Sequence, residues 1–284
     1  MYIIDYFYKK PTVDKGDHLE IEGINREDYA TSQYKEMVNP IVLTKPTAVL
    51  YAGGVGISQS ESRDVTKVAD RYAGTVPYQE SKMLIKEISA FNMHRWIGDM
   101  ANNENVVYAN VNHNSCSSSM YCVYEAERLL NSGEVDEVIV IAEERTSFNT
   151  IRIFKEHFIP LIVSDALAVV RFGREGTIEV TDSKWKYQWN RNPFGTTKSG
   201  YAMVDSEADT VKPHGTGTNN NNEAEEDLVA GRSSVYYKPE IGHSQGASAL
   251  LEICMTIDDS NISGDVLCVA SGLGGFYGSC VLHK

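Results

Sequence analysis

The sequence predicts an α/β fold built from two similar halves. Two observations lead to this prediction. Strand-like apolar runs alternate with helix-like segments along the chain, and the order strand, serine-rich turn, helix, glycine stop and strand in the first half has a counterpart in the second. We place the boundary so that residues 1–172 form the first half and residues 173–284 form the second.

The first half contains two predicted strands with a helix between them. Residues 47–54 form an apolar run that ends in glycines, and residues 106–111 form a second apolar run, so both are predicted strands. Residues 80–102 carry apolar side chains at helical spacing and predict a helix. We assign no element to residues 1–45.

A serine-rich turn follows the second strand and contains Cys116. Residues 114–119 read Asn-Ser-Cys-Ser-Ser-Ser, a predicted helix then runs to a stop at Gly133, and residues 135–142 form the next strand. Unpaired N–H groups at such a turn favour negative charge and lower the pKa of a thiol, so this position suits a nucleophilic cysteine. The alternative is a small buried cysteine. We keep that interpretation for Cys122, Cys254, Cys268 and Cys280.

The second half repeats the alternation. A strand is predicted at residues 163–172, at the end of the first half, and further strands at residues 177–189, 266–270 and 278–283, with helices at residues 223–231 and 246–257. The asparagine run at residues 219–222 is interpreted as a loop that precedes a helix. The two halves are expected to pack together as one α/β structure.

Composition and charge exclude several classes of function. The chain has 284 residues, a net charge of −13 and 42% hydrophobic residues, so it can form a core but is a poor candidate for binding nucleic acid or an anionic membrane. No apolar run reaches the roughly 18 residues of a membrane helix. The five cysteines form no CxxC pair, which predicts neither a metal site nor a disulfide framework. We expect a cytoplasmic protein with reduced thiols.

Two histidine motifs are more informative than any single residue. Residues 213–218 read Pro-His-Gly-Thr-Gly-Thr, in which the glycines let the backbone approach a ligand and the side chains of His214, Thr216 and Thr218 offer polar groups. Residues 238–243 read Lys-Pro-Glu-Ile-Gly-His and end at His243, before a run of small residues that opens a helix. A tight polar turn and a surface histidine are the alternatives. The remaining histidines, His18, His94, His113, His157 and His283, are interpreted as structural or solvated.

Together these motifs resemble the β-ketoacyl synthase (ketosynthase) family of condensing enzymes, which have the thiolase fold. The turn at Cys116 is similar to the family's nucleophile turn, and His214 and His243 fall in its two histidine motifs. Glu252 stands where the family carries a glutamate that pairs with the lysine of the second motif, here Lys238. Residues 272–275 (Gly-Leu-Gly-Gly) resemble its glycine-rich turn, so the resemblance implies an abbreviated thiolase-like fold with central sheets and buried helices between the halves.

The resemblance also implies a mechanism. Cys116 would take an acyl group, and His214 and His243 would assist loss of CO2 from a malonyl thioester, whose carbanion then attacks the acyl-enzyme. The backbone N–H groups of Cys116 and Leu273 would form an oxyanion hole. Lys238 and Glu252 would form a structural ion pair. Substrate would contact Thr216, Thr218, Leu273 and Gly274.

The implied partners are an acyl carrier protein, whose phosphopantetheine carries the substrates, and a second subunit. No metal or separate cofactor is expected. Residues 145–200 have a net charge of +4 in an otherwise acidic chain, which would suit an acidic carrier protein. The family resemblance implies a homodimer, or a heterodimer with a second ketosynthase-like subunit, in fatty acid or polyketide biosynthesis.

The sequence also departs from the family. The chain is short, residues 190–213 leave little room for a helix and a strand, and Leu273 replaces an aromatic residue of the glycine-rich turn. Two alternatives therefore stay open. One is a non-catalytic partner subunit similar to a chain length factor, and the other is an acyltransferase or thiolase-like enzyme that uses Cys116 without decarboxylation. Against a thiolase, no cysteine directly precedes Gly274.

Overall fold

The computed structural model describes residues 1–23, 41–53, 100, 102–146, 148–157, 160–192 and 195–284. Most of the helix predicted at residues 80–102 lies outside these residues, as do Gly54 and His94.

The strands are β1 (Tyr2–Lys9), β2 (Val13–Asp14), β3 (His18–Glu20), β4 (Thr47–Ala52), β5 (Val106–Asn112), β6 (Glu137–Glu144), β7 (Val163–Ser164), β8 (Ala166–Gly173), β9 (Ile178–Tyr187), β10 (Thr210–Lys212), β11 (Ser233–Ser234), β12 (Asp265–Gly272) and β13 (Phe276–His283). The α-helices are α1 (Ser118–Ser132), α2 (Phe148–His157), α3 (Lys198–Ala202), α4 (Asn219–Val229), α5 (Lys238–Ile241) and α6 (Ser248–Asp258). Within the described residues, no helix is both long and apolar enough to span a membrane.

Among the described residues, the main sheet consists of two blocks of five strands with the same topology. The first block has the order β5-β4-β6-β8-β1 and the second has the order β11-β10-β12-β13-β9. In each block the second strand along the chain pairs in parallel with the third and fourth, and the remaining pairings are antiparallel. The blocks join where Tyr2 and Ile3 of β1 pair with Glu179 and Ile178 of β9. This repeat confirms the predicted pair of similar α/β halves, whereas the exact boundary at residues 172 and 173 stays a prediction.

Two buried helices lie between the halves. Helix α1 packs against β4 and β6 of the first block and against β9 and β13 of the second, and it ends at Gly133, whose φ of 80° is left-handed. Helix α6 packs against β1, β8, β12 and α1, and its residues 248–256 are all buried. A helix whose side chains are buried all round must be covered on all sides. The central position of α6 provides that cover.

Each central helix begins with a matching turn. The 3₁₀ turns Ser115–Ser117 and Gln245–Ala247 precede α1 and α6, and they contact each other. Ser115 and Gln245 both have a positive φ, at 55° and 42°, which is strained for residues other than glycine. Cys116 is the residue after this strained position, so the fold fixes where its side chain points.

The N-terminal segment supplies a strand that the sequence analysis did not assign. Strand β1 pairs antiparallel with β8 and lies inside the main sheet. The hydroxyls of Tyr6 and Tyr8 donate to the carboxylate of Asp258 at the end of α6, at 2.5 and 2.7 Å. The aromatic residues at alternating positions of β1 were the available signal for a strand.

Two further predictions differ from the structure. The interval before His214 does hold a short helix, α3, and a short strand, β10, because both are only a few residues long. The asparagine run is the first turn of α4 and not a loop, and the predicted start of that helix was four residues late. The side chain of Asn221 is buried and donates to Glu225 one turn later, at 2.6 Å, which stabilises the helical conformation.

The edge strand β5 is attached to α1 through one carboxylate. Tyr108, Asn110 and Asn112 lie at alternating positions on one face of β5, and each donates a hydrogen bond to Glu125, at 2.8, 3.1 and 3.1 Å. Glu125 is buried on α1. Burial and the Glu125 hydrogen bond raise the pKa of Tyr108 to about 12. A single side chain therefore accepts from three residues of the edge strand.

We expect Glu125→Ala to lower the free energy of unfolding by about 2–3 kcal/mol, because it leaves three partly buried donors without their acceptor. Urea unfolding measures this change. The matched control is Glu134→Ala, which removes an exposed glutamate just after α1 and should change the free energy by less than about 0.5 kcal/mol. Equal stability of Glu125→Ala and the wild-type protein would contradict the assignment.

Candidate active site

A cavity that is partly open to solvent lies where strands β10 and β12 end and the turn before α1 begins. In α/β sheets, ligands bind at the carboxyl ends of parallel strands. The cavity is lined by Cys116, Phe154, Leu161, Gly195, Thr196, His214, Thr216, Thr218, Asn220, Asn221, His243, Ser271, Gly272 and Leu273. The structure therefore brings together the predicted nucleophile and both motif histidines.

Cys116 is buried and lines the cavity. Burial raises the pKa of its thiol to about 11, although the Ser115 hydroxyl, 3.6 Å from Sγ, and the charge of Lys238 act in the opposite direction. Glu144 adds to the increase. The turn was expected to lower this pKa, and the structure differs because loss of water outweighs the favourable contacts. The cysteine is therefore a thiol at neutral pH.

The two motif histidines lie side by side in the lining of the cavity, in an edge-to-face contact. Their ring centroids are 5.3 Å apart at an angle of 84°, and both side chains are buried. Nδ1 of His243 lies 3.1 Å from the Ser248 hydroxyl on α6, which leaves Nε2 for a ligand. The backbone of His243 bridges to the segment before β8, because its N–H donates to the Ile162 carbonyl and its carbonyl accepts from Ser164.

Both imidazoles are neutral in the folded protein. Burial lowers the pKa of His214 and of His243 well below 6.5, and the nearby charges of Lys238 and Lys212 lower both pKa values further. A neutral imidazole carries one N–H donor and one acceptor nitrogen. Each ring can therefore donate a hydrogen bond to a substrate oxygen or accept a proton.

A buried cluster of charges lies behind His214. Glu252 on α6 pairs through one carboxylate oxygen with Lys238 and through the other with Lys212, and all three side chains are almost inaccessible. Lys238 also donates to the backbone carbonyl of His214. Burial alone would raise the pKa of Glu252, but the two ammonium groups outweigh it and hold the pKa below its ordinary value. The predicted Lys238 and Glu252 pair is present, and Lys212 is a third member that the sequence analysis missed.

A second buried network supports the first histidine motif. Glu225 on α4 accepts from the backbone N–H of Gly215, at 3.0 Å, and from Asn221, at 2.6 Å. Asn221 accepts in turn from the Tyr201 hydroxyl, which lies 2.9 Å from the Ser271 hydroxyl. Sequence reasoning missed these four side chains. The sequence feature that could have revealed this network is the spacing of Asn221 and Glu225, which lie one helical turn apart directly after the motif.

The predicted substrate-binding residues are only partly brought together. Thr216 and Thr218 line the cavity with their hydroxyls 3.0 Å apart, and Leu273 lines it from the end of β12. Gly274, with a φ of 93°, lies one residue beyond the lining. Gly272 contacts the nucleophile turn so closely that an added Cβ would lie 2.5 Å from the Ser117 hydroxyl. Only glycine allows β12 to end this close to Cys116.

The other candidate residues lie elsewhere. The remaining cysteines are buried and free, and none lines the cavity. Of the other histidines that the structure describes with their side chains, none lines the cavity either, and the side chain of His157 lies outside the described part. No cluster of His, Cys, Asp and Glu that could hold a metal ion occurs among the described residues.

The neutral histidines predict a pH dependence of stability. In the unfolded chain both rings bind a proton below about pH 6.5, whereas in the folded protein their lowered pKa values keep them neutral. The unfolded state then binds more protons, so the free energy of unfolding falls below pH 6.5 by up to about 1.4 kcal/mol per pH unit for each histidine.

Urea unfolding on either side of pH 6.5 measures this loss. The double variant His214→Asn/His243→Asn should lose less stability on acidification than the wild-type protein. His113→Asn removes an exposed ring in the turn before α1 and should retain the wild-type dependence. Identical pH dependence in the double variant and the wild-type protein would argue against two buried neutral imidazoles.

Comparison with known proteins places this site in a known fold. No protein-family model and no curated protein matches the sequence. Among solved structures, the ishigamide ketosynthase/chain length factor aligns with a TM-score of 0.73 and 17% identity, over 98% of this chain and 91% of that chain. A β-ketoacyl synthase from Burkholderia phymatum STM815 aligns with a TM-score of 0.72 and 14% identity, over 94% and 88%.

A complex of a type II polyketide synthase acyl-carrier protein with its ketosynthase, bound to the hexaketide, aligns with a TM-score of 0.68 and 11% identity. That alignment covers 98% of this chain and 91% of the other. The short chain therefore aligns with most of the length of each of these proteins. Their agreement with the repeated sheet and its central helices leads to one conclusion: the chain has the thiolase-like fold of the ketosynthases and chain length factors.

Proposed function

We propose that the chain is a β-ketoacyl synthase-like condensing enzyme. It would join an acyl group held on Cys116 to a malonyl group carried by an acyl carrier protein, in fatty acid or polyketide biosynthesis. The observation that carries this proposal is the single cavity that Cys116, His214 and His243 share. A thiol and two neutral imidazoles at one site are the groups that acyl transfer and decarboxylative condensation require.

The first step is transfer of the acyl group to Cys116. The thiol loses its proton to a neutral imidazole of the cavity, Sγ attacks the acyl thioester, and the carrier thiol leaves with a proton. The raised pKa of Cys116 makes the free thiolate rare, so a base close to the thiol is needed. Lys238, whose charge lowers the thiol pKa, favours the thiolate in the same step.

The second step joins the two substrates. The malonyl thioester loses CO2, and the resulting carbanion attacks the acyl carbon, which forms the new carbon–carbon bond and releases the Cys116 sulfur to take up a proton. Negative charge collects on the thioester oxygen before the attack. N–H donors of His214 and His243 would stabilise that charge, and loss of one such donor costs about 3 kcal/mol.

The rim of the cavity fits a carrier-bound substrate. Thr216 and Thr218 offer hydroxyls that suit the amide groups of a phosphopantetheine arm. Arg152 and Lys155 are exposed on α2, next to Phe154, which lines the cavity, and they give an acidic carrier protein a basic contact. Other basic residues of the stretch 145–200 are neutralised locally, as Arg171 pairs with Glu137 and Lys198 pairs with Glu226. The substrates need no separate cofactor.

The edge strand β5 is the proposed contact with a second subunit. Its other edge is unpaired among the described residues, and Val107 and Tyr108 are exposed there. Exposed strand edges in natural proteins are usually covered. A homodimer, or a heterodimer with another ketosynthase-like chain, would provide that cover.

A second candidate function is a non-catalytic partner subunit similar to a chain length factor. The observation in its favour is the raised pKa of Cys116, together with the similarity to a ketosynthase/chain length factor structure. Such a subunit has no need for a reactive thiol. The presence of Cys116 and both histidines in one cavity favours the enzyme.

Intact mass after incubation with acyl carrier protein thioesters tests the proposal, followed by addition of malonyl carrier protein and product analysis. We expect an acyl adduct in the wild-type protein, none in Cys116→Ala, and a product that is two carbons longer. His243→Ala should still form the adduct but should condense about a hundredfold more slowly, because a donor to the developing charge is lost.

Cys254→Ala is the matched control, because it removes another buried thiol that lies outside the cavity, and it should keep the adduct. An adduct without extension would favour an acyltransferase. No adduct with any thioester would favour the non-catalytic subunit. Normal condensation by His243→Ala would contradict the role given to the histidines.

A further inference from the structure

Lys212 occupies an unusual place next to the candidate active site. It is the last residue of β10, two residues before His214, and its side chain is 2% exposed. Its neighbour Val211 faces the opposite side of the strand and packs in an apolar cluster with Leu267 and Val269. Lys212 therefore points toward the central helix α6, where Glu252 lies.

Lys212 adds a positive charge that is not needed to neutralise Glu252. Lys238 alone would neutralise Glu252, and burying a second ammonium group costs several kcal/mol before its contacts are counted. The contact geometry suggests a reason for the extra charge. Lys212 holds one carboxylate oxygen of Glu252, so the other oxygen is directed at Lys238, and Lys238 donates to the His214 carbonyl.

We propose that Lys212 is a positioning residue for the condensation reaction, which fixes His214 in the cavity through Glu252 and Lys238. The inference rests on the proposed function. Lys212 is also connected to His214 through the backbone. Pro213 stands between them, and its ring restricts the backbone there. His214 is thus held at its carbonyl and through its own strand.

The cluster also sets the charge around both imidazoles. The charges of Lys238 and Lys212 both disfavour protonation of the two rings. Removing Lys212 removes part of that effect, and protonation of His214 and His243 becomes easier. The other titratable groups around the cluster and the thiol are Glu225 on α4, Cys268 on β12, Cys280 on β13, Cys116 before α1 and Glu144 on β6.

The test is the rate of decarboxylation of malonyl carrier protein as a function of pH, measured on the full chain. Lys212→Met should still form the acyl adduct on Cys116, but its decarboxylation rate should fall between about tenfold and a hundredfold, because His214 is no longer held in place. The acidic limb of its pH profile should move to higher pH, because loss of the Lys212 charge makes protonation of His214 and His243 easier.

Two further variants separate charge from structure. Lys212→Gln keeps a hydrogen-bond donor to Glu252 without the charge, so its acidic limb should move as well, and it serves in place of Lys212→Met if that variant does not fold. Lys212→Arg keeps the charge and should restore the wild-type position of the limb. Lys184→Met is the matched control, because it removes a half-buried lysine of β9 that donates hydrogen bonds to Asp205 and Ser206. It should leave the decarboxylation rate and the acidic limb of the pH profile unchanged.

The outcomes distinguish this inference from the proposed function. If the wild-type protein does not decarboxylate malonyl carrier protein, the proposed function fails and the role of Lys212 fails with it. If the wild-type protein is active and the folded Met or Gln variant has the same rate and the same acidic limb, only the role of Lys212 is overturned. If the decarboxylation rate of the variant falls only in proportion to its unfolded fraction and the acidic limb does not move, Lys212 has a purely structural role. That result would also overturn the inference.

Discussion

The packing of α1 and α6 between the two sheet blocks is the constraint on which the rest of the structure depends. Because both helices are covered on opposite sides, their N-terminal turns are forced together at the junction of the halves. Each turn contains a strained residue, Ser115 or Gln245, and Cys116 follows the first of them. The cavity forms at this junction, so the duplicated fold creates the site and no surface cleft is required.

The interior location of the site determines its electrostatics. Charged groups that lose water must be paired, which explains why Glu252 contacts two lysines and why Glu225 accepts from Gly215 and Asn221. The same burial keeps the thiol of Cys116 protonated and both imidazoles neutral. The proposed chemistry uses this state, because neutral imidazoles can both accept the thiol proton and donate to a developing charge.

The two turns have diverged in a way that divides the chemistry between the halves. His113 and Cys116 are three residues apart in the first turn, and His243 and Gly246 have the same spacing in the second. The first turn supplies the thiol to the cavity, while His113 is exposed and takes no part in the lining. The second turn supplies the imidazole and carries glycine where the first has the thiol. Each of the two turns therefore contributes one of the groups that the proposed reaction uses.

The sequence by itself determined the α/β alternation, the turn before α1 and the identity of the cysteine and histidine motifs, because these depend on local periodicity and on residues close together in the chain. Only the tertiary structure decided how β1 joins the sheet, that Lys212 shares Glu252 with Lys238, and that burial raises the pKa of Cys116. Strand pairing and charge pairing between distant residues depend on packing, and the cost of burying a charge depends on the water that packing excludes. Neither quantity is encoded in the spacing of residues along the chain.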